Sequence, residues 1–144
     1  MDKITHFEIP INEENQETAM DFYKEIFGWK VKKWNDEIPY WMIHTVAVDE
    51  HQMPKEPGAI NGGFTTKEDI SAPTVVISVD SIDKKLEMIE EKCGEIVMNK
   101  RPVGEMGFYA RFKDTEGNII GIWETAKKDD NKLKSRPSKK IAKF

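Results

Sequence analysis

The sequence predicts an α+β fold in which eight strands form a mixed sheet with two helices packed outside it. Eight short segments alternate apolar and polar residues, as strands with one buried face do. Two longer segments carry apolar residues at helical spacing, and each ends at a glycine. The order strand, helix, three strands occurs twice, which predicts two tandem βαβββ modules.

The first module spans about residues 3–66. Residues 4–11 (ITHFEIPI) alternate as a strand, and residues 12–28 form a helix between a capping residue, Asn12, and a stop at Gly28. We predict three further strands at residues 29–34, 39–48 and 59–66, with a polar loop at 49–58 before the last. The final strand contains Gly62 and Gly63 where side chains would normally pack, which allows a ligand or a two-fold partner to approach closely.

The second module spans about residues 73–125 and repeats the plan. Residues 73–79 form a strand, and residues 81–94 form a helix with Ser81 as its cap and Gly94 as its stop. We predict the remaining strands at residues 95–103, 106–114 and 118–124. Residues 1–125 together are expected to form a single domain, which fits a chain of 144 residues.

The charge is distributed unevenly along the chain. Residues 126–144 contain eight Lys or Arg and two Asp, a net charge of +6, so a total of −4 leaves −10 on residues 1–125. An acidic domain argues against nucleic-acid binding, which needs clustered positive charge. We predict a flexible basic tail at 126–144, and contact of this tail with RNA, anionic lipid or a partner stays open.

The sequence contains no signal for export or for a membrane. Its one cysteine, Cys93, excludes an intramolecular disulfide and agrees with a reducing compartment. No apolar stretch approaches the length of a membrane span, and the N-terminus lacks the pattern of a signal peptide. We therefore expect a cytoplasmic protein without membrane contact.

Several of these segments resemble the vicinal oxygen chelate superfamily of glyoxalases, bleomycin resistance proteins and extradiol dioxygenases. The resemblance rests on ITHFEI and AMDFYKEIFGWKV in the first half, and on VVISVDSIDKKLEMIEEKCGEIV and FYARFKDTEGNIIGIWE in the second. It covers about residues 3–125. It implies a cupped sheet around a central pocket, a small-molecule ligand and assembly as a homodimer.

The resemblance also implies four places for metal ligands, on the first and last strands of each half. These places fall on His6, on Gly62 or Gly63, on Thr74 and on Gly121. His6 is the only residue of the usual ligand type among them. We therefore expect no metal and no other cofactor, and we keep a divalent metal held by an unusual ligand set as the alternative.

Candidate site residues follow from the alternation within strands. His6 and Glu8 share one strand face and form a candidate acid/base pair, because a carboxylate tunes a neighbouring imidazole. Tyr109 and Arg111 likewise share a face, which would suit an anionic ligand. Trp123 is expected beside the room left at Gly121. The predicted ligand-binding set is His6, Glu8, Trp41, His44, Thr74, Tyr109, Arg111 and Trp123, with His6 and Glu8 as the candidate catalytic pair.

Three functional hypotheses remain open at this point. The first is a glyoxalase-like protein without metal that binds or sequesters an aromatic or apolar compound. The second is a divalent-metal lyase, isomerase or dioxygenase that uses His6 and Glu8, with His44 or Glu124 completing its ligands. The third is a protein-interaction module with a collapsed pocket. The sequence does not decide whether the protein is an enzyme.

Overall fold

The computed structural model describes residues 1–127, and the predicted tail lies outside the described residues from residue 128 onward. A short 3-10 helix, Glu13–Asn15, precedes the first α-helix. The other elements, in chain order, are β1 (Lys3–Ile11), α1 (Gln16–Phe27), β2 (Lys30–Lys33), β3 (Trp41–His44), β4 (Asn61–Thr66), β5 (Thr74–Ser78), α2 (Ile82–Glu91), β6 (Glu95–Val103), β7 (Gly107–Lys113) and β8 (Ile119–Thr125).

The predicted fold class is confirmed, with the order strand, helix, three strands present twice. The eight strands form a mixed sheet in the order β2-β3-β4-β1-β5-β8-β7-β6. Among the boundaries that differ from the predictions, two have a local structural cause. Helix α1 begins at Gln16 because residues 13–15 form the 3-10 turn, and Asn12 makes no side-chain capping bond. Strand β3 ends at His44 because the next two amide groups bond to the Asn61 side chain instead of extending the ladder.

The chain divides into two compact units, of which one comprises residues 4–76. In this unit β1 pairs in parallel with β4, and β3 pairs antiparallel with both β2 and β4. Helix α1 covers one face of these strands. Its core contains the buried residues Ile11, Met20, Trp41, Ile43 and Phe64.

Within the described part of the chain, the other unit comprises residues 1–3 and 77–127. Strands β6, β7 and β8 form an antiparallel meander, and α2 packs against one face of it. The predicted cap of α2 is confirmed, since the Ser81 hydroxyl accepts a bond from the Lys84 amide at 3.2 Å. The core of this unit contains Val79, Ile82, Leu86, Ala110 and Ile122. No helix within residues 1–127 is long and apolar enough to cross a membrane.

Candidate functional site

One face of the first unit's sheet carries polar residues in register. His6 pairs with Asn61 and Glu8 pairs with Gly63 across the parallel β1–β4 ladder. Paired residues point to the same face of a sheet, and the residues between them point to the other. Phe7 lies on that other face, where it packs into the core with α1. His6, Glu8 and Asn61 therefore share the face that α1 leaves uncovered, as the sequence predicts for His6 and Glu8.

A hydrogen bond joins His6 to Tyr40 on this face. The Nε2 atom of His6 lies 2.7 Å from the Tyr40 hydroxyl. Tyr40 is only 8% exposed and directly precedes β3, and its carbonyl accepts a bond from the Trp34 amide. A neutral imidazole and a phenol can each donate or accept, so this bond permits a proton on either partner.

Burial keeps His6 in its neutral form. Removal from water lowers the pKa of His6 below its ordinary 6.5, while the nearby Glu8 carboxylate acts in the opposite direction and is the smaller influence. Glu8 itself is only 4% exposed. His6 is therefore an uncharged hydrogen-bonding group near neutral pH, with access to a proton through Tyr40.

Both glycines of β4 accommodate aromatic rings from the same chain. A side chain at position 63 would collide with the Tyr40 ring and hydroxyl, and one at position 62 would collide with the Phe7 ring and carbonyl. These contacts explain the two glycines without an approaching partner subunit. Because Gly63 lies on the face of His6, it is Gly63 rather than Gly62 that corresponds to the expected ligand place.

The second unit repeats this arrangement with Tyr109 and Arg111. Tyr109 pairs with Trp123 and Arg111 pairs with Gly121, so the four residues share one face of β7 and β8. The alternate residues, Ala110 among them, face α2. Arg111 and Tyr109 are 4% and 7% exposed. The Arg111 Nε atom donates to the Tyr109 hydroxyl at 3.0 Å, and its guanidinium lies 5.2 Å from the Tyr109 ring centre.

Tyr109, and not Trp123, fills the room left by Gly121. A side chain at position 121 would collide with the Tyr109 hydroxyl, whereas the Trp123 ring lies against Gly107. The Trp123 indole nitrogen donates to the Thr125 hydroxyl at 3.0 Å. The sequence predicts open space at Gly121 beside Trp123, and this detail is wrong because the Tyr109 ring and hydroxyl occupy that space.

The three remaining predicted site residues occupy different environments. Trp41 is in the core beneath α1, on the opposite face from His6. His44 lies at the end of β3 opposite Lys30, where burial first and then the Lys32 and Lys30 charges lower its pKa. Thr74 is buried, with its hydroxyl 3.4 Å from the Val75 carbonyl oxygen, a long and weak contact.

The residues at the expected ligand places do not fit a divalent metal of the usual type. First-row metals bind nitrogen, oxygen and sulfur side chains, and Gly63 and Gly121 offer none. The space above each glycine is filled by a tyrosine hydroxyl. Within residues 1–127, no group of three or more His, Cys, Asp or Glu is arranged to hold a metal ion.

Glu124, an additional ligand in the metal hypothesis, has a structural role. Its Oε1 atom accepts a bond from the Ile82 amide at 2.8 Å and lies 3.8 Å from the Lys100 ammonium. It therefore caps the start of α2, where a negative charge is stabilising.

Two residues of the site were missed from the sequence. The sequence assigns no role to Tyr40, because nothing local connects position 40 to position 6. Asn61 received no role, although it lies two residues before Gly63 and therefore on the same strand face. This spacing is the signal that would have found it.

A family model matches most of the chain, and many solved structures share its fold. The model described as Glyoxalase/Bleomycin resistance protein/Dioxygenase superfamily matches residues 3–122. The hypothetical protein BH1468 from Bacillus halodurans C-125 aligns with a TM-score of 0.61 at 13% identity, covering 90% of this chain and 99% of that one. Methylmalonyl-CoA epimerase from Mycobacterium tuberculosis aligns at 0.56 and 15%, covering 92% and 91%.

A third similar structure is a glyoxalase/bleomycin resistance protein/dioxygenase superfamily member from Vibrio splendidus 12B01. It aligns with a TM-score of 0.56 at 11% identity, covering 87% of this chain and 99% of that one. The comparison with curated proteins gives no match. At these identities, likeness to the solved structures is evidence for the fold alone.

Proposed function

Because this chain belongs to the glyoxalase/bleomycin resistance protein/dioxygenase superfamily, we propose that it binds a small aromatic or apolar molecule without the help of a divalent metal. The proposed ligand lies against the face of the first unit's sheet that α1 leaves uncovered. His6 and Tyr40 contribute to its binding there, and Tyr109 and Arg111 form the corresponding hydrogen-bonded pair within the second unit.

One observation carries this proposal. In both units a tyrosine hydroxyl fills the space above the glycine at a former ligand place, Tyr40 above Gly63 and Tyr109 above Gly121. In both units that hydroxyl is also bonded to a nitrogenous side chain, His6 or Arg111. The same replacement in two separate halves favours a metal-free site that retains hydrogen-bonding groups over a metal site with one lost ligand.

The apolar residues beside these pairs support an aromatic or apolar ligand. Met42 pairs with Gly63, and Met98 pairs with Arg111, so each methionine shares a face with the polar groups. Trp123 lies on the second of these faces and is partly exposed. A few placed polar groups within an apolar surface are typical of small-molecule sites.

Binding and metal content together test the proposal. The full chain, purified without chelator, is analysed for metals and then titrated with indole, acetophenone, ethylbenzene and benzoate while tryptophan fluorescence is recorded. We expect no stoichiometric metal. We also expect saturable binding of at least one probe, with the same affinity in EDTA and in added Zn²⁺ or Mn²⁺. Trp123→Phe identifies how much of the signal comes from that residue.

Two results would overturn the proposal. A stoichiometric metal that disappears in His6→Ala would favour the divalent-metal lyase, isomerase or dioxygenase. Absence of binding by all four probes would favour an interaction module without a small-molecule ligand.

A second candidate function, metal-free proton transfer, is favoured by the bond between His6 and Tyr40. A neutral imidazole can accept the phenol proton while the phenol oxygen accepts a proton from a bound carbon acid, and Glu8 would stabilise the resulting imidazolium. Exchange of deuterium from D₂O into the methyl group of acetophenone, followed by NMR, tests this activity. His6→Asn and Tyr40→Phe should each abolish any exchange that the wild type catalyses.

Assembly as a homodimer remains a prediction from the family resemblance. It concerns the full chain, including the basic residues beyond residue 127. Sedimentation equilibrium at several concentrations measures the assembly directly, and a monomer throughout would contradict it.

A further inference from the structure

We infer that Asn61 donates a hydrogen bond to an uncharged carbonyl oxygen of the ligand, beside the His6–Tyr40 pair. This inference rests on the proposed function and names the chemical class of its ligand. It also assigns to Asn61, which lies opposite His6 in the β1–β4 ladder, a role in determining ligand specificity.

The orientation of the Asn61 amide is fixed by the backbone. Its Oδ1 atom accepts bonds from the Thr45 amide at 2.7 Å and from the Val46 amide at 3.2 Å. The Thr45 hydroxyl also lies 3.1 Å from the same oxygen. If the amide oxygen and nitrogen of Asn61 were exchanged, the side-chain NH₂ group would face the backbone N–H groups of Thr45 and Val46, and donors would then meet donors. The oxygen therefore faces the loop, and the nitrogen faces away from it.

The Asn61 nitrogen has no hydrogen-bond partner among the described residues. Within residues 1–127 the Nδ2 atom is buried and makes no hydrogen bond. A buried donor without an acceptor is costly, and such groups are rare unless they serve a purpose. A ligand that brings an acceptor to this atom recovers that cost, which makes the position a source of binding affinity.

The position of Asn61 places this donor beside the groups of the proposed site. Asn61 is directly opposite His6 in the β1–β4 ladder and shares its face. Both residues are partly exposed, so a small molecule can bind against the surface beside them.

The neighbouring charges favour a neutral ligand oxygen over a carboxylate. His6 is held uncharged by burial and supplies no positive charge to an anion. Glu8 is buried on the same face, so a second carboxylate would be placed near the first. A ketone, aldehyde, amide or lactone oxygen avoids that repulsion and still accepts from the Asn61 nitrogen.

The substitution Asn61→Asp separates the two roles of the side chain. Aspartate keeps an oxygen that accepts from Thr45 and Val46, so the loop stays anchored, but it replaces the donor with a second acceptor. Asn61→Ala removes both functions and serves as the matched comparison. A melting temperature of Asn61→Asp above that of Asn61→Ala shows that the anchor of the loop is retained, although the new carboxylate near Glu8 lowers the stability below that of the wild type.

Acetophenone and ethylbenzene form the matched probe pair, because they differ only in a carbonyl group replaced by a methylene. We expect the full wild-type chain to bind acetophenone more tightly than ethylbenzene. Asn61→Asp should lose about tenfold in acetophenone affinity while its ethylbenzene affinity stays unchanged. In ¹H–¹⁵N spectra, acetophenone and not ethylbenzene should shift the side-chain amide signals of Asn61.

The outcomes distinguish this inference from the function on which it rests. Equal affinity of the wild type for both probes, or unchanged acetophenone affinity in Asn61→Asp, overturns the role of Asn61 and leaves the aromatic binding function standing. Failure of the wild type to bind acetophenone, ethylbenzene, indole or benzoate overturns both.

Discussion

The Tyr109 hydroxyl occupies the space that the β-carbon of any other residue at position 121 would need, so Tyr109 requires a glycine at that position. The corresponding pair in the first unit is Gly63 with Tyr40. Each tyrosine hydroxyl is hydrogen bonded to its neighbour, to Arg111 in the second unit and to His6 in the first. The two glycine positions at which the family resemblance implies metal ligands are thus packed with phenol groups.

Gly121→Ala is expected to destabilise the protein by about 1–3 kcal/mol, because its β-carbon would overlap the buried Tyr109 ring. Urea denaturation measures the change in the free energy of unfolding. The double variant Tyr109→Phe/Gly121→Ala lacks the Tyr109 hydroxyl, the atom nearest to the new β-carbon. Its loss of stability should therefore be smaller than the sum of the losses in the two single variants. An alanine at position 121 that leaves stability unchanged would contradict the packing described here.

His6 is expected to make stability depend on pH. Its pKa is lowered below 6.5 in the folded state, so between that lowered value and 6.5 the unfolded chain binds a proton that the folded chain does not. The contribution is fully present above 6.5 and decreases as the pH falls through the lowered value. Unfolding free energies at about pH 8 and about pH 5 should differ more in the wild type than in His6→Asn.

The exposed His51 provides the control for this pH dependence. His51→Asn should keep the wild-type difference between the two pH values, because the side chain of His51 is 70% exposed. Identical pH dependence in the wild type and in His6→Asn would show that His6 is not the group responsible.

Glu124→Ala is expected to destabilise the protein by about 1–2 kcal/mol, since it removes the acceptor for the Ile82 amide at the start of α2. Glu124→Gln keeps an acceptor oxygen and should lose less. Thermal unfolding compares the three proteins. If Glu124→Ala instead removed a bound metal at unchanged stability, the metal-dependent hypothesis would regain support.

Trp41→Ala is expected to cost about 3–5 kcal/mol, because Trp41 is 5% exposed and packs in the core with Phe64. Trp123→Ala should cost less, since Trp123 is partly exposed. Urea denaturation measures both, and Trp41→Phe replaces the alanine variant if that variant does not fold. If Trp41→Ala lowered the free energy of unfolding less than Trp123→Ala and also lost indole binding, Trp41 would instead belong to the ligand site.

Much of this structure follows from local patterns. The alternation in ITHFEIPI predicted that His6 and Glu8 share a face, and the register with β4 places them together. Alternation failed to assign the face of Trp41, because an apolar residue in a strand rich in apolar residues suits either side. The end of β3 was missed for a different reason, since it depends on bonds to Asn61, which lies 16 residues from Thr45 in the chain.

The sequence by itself determined the family, the fold class and the absence of side chains at two expected ligand places, because these depend on residue type and spacing. Only the tertiary structure decided what replaces those side chains. Tyr40 bonds to His6 across 34 positions of sequence. The Asn61 nitrogen, which has no partner within residues 1–127, can be identified only because the structure shows the amide oxygen bonded to the loop. Such contacts depend on strand register and on the reach of long side chains across a sheet, which no local pattern encodes.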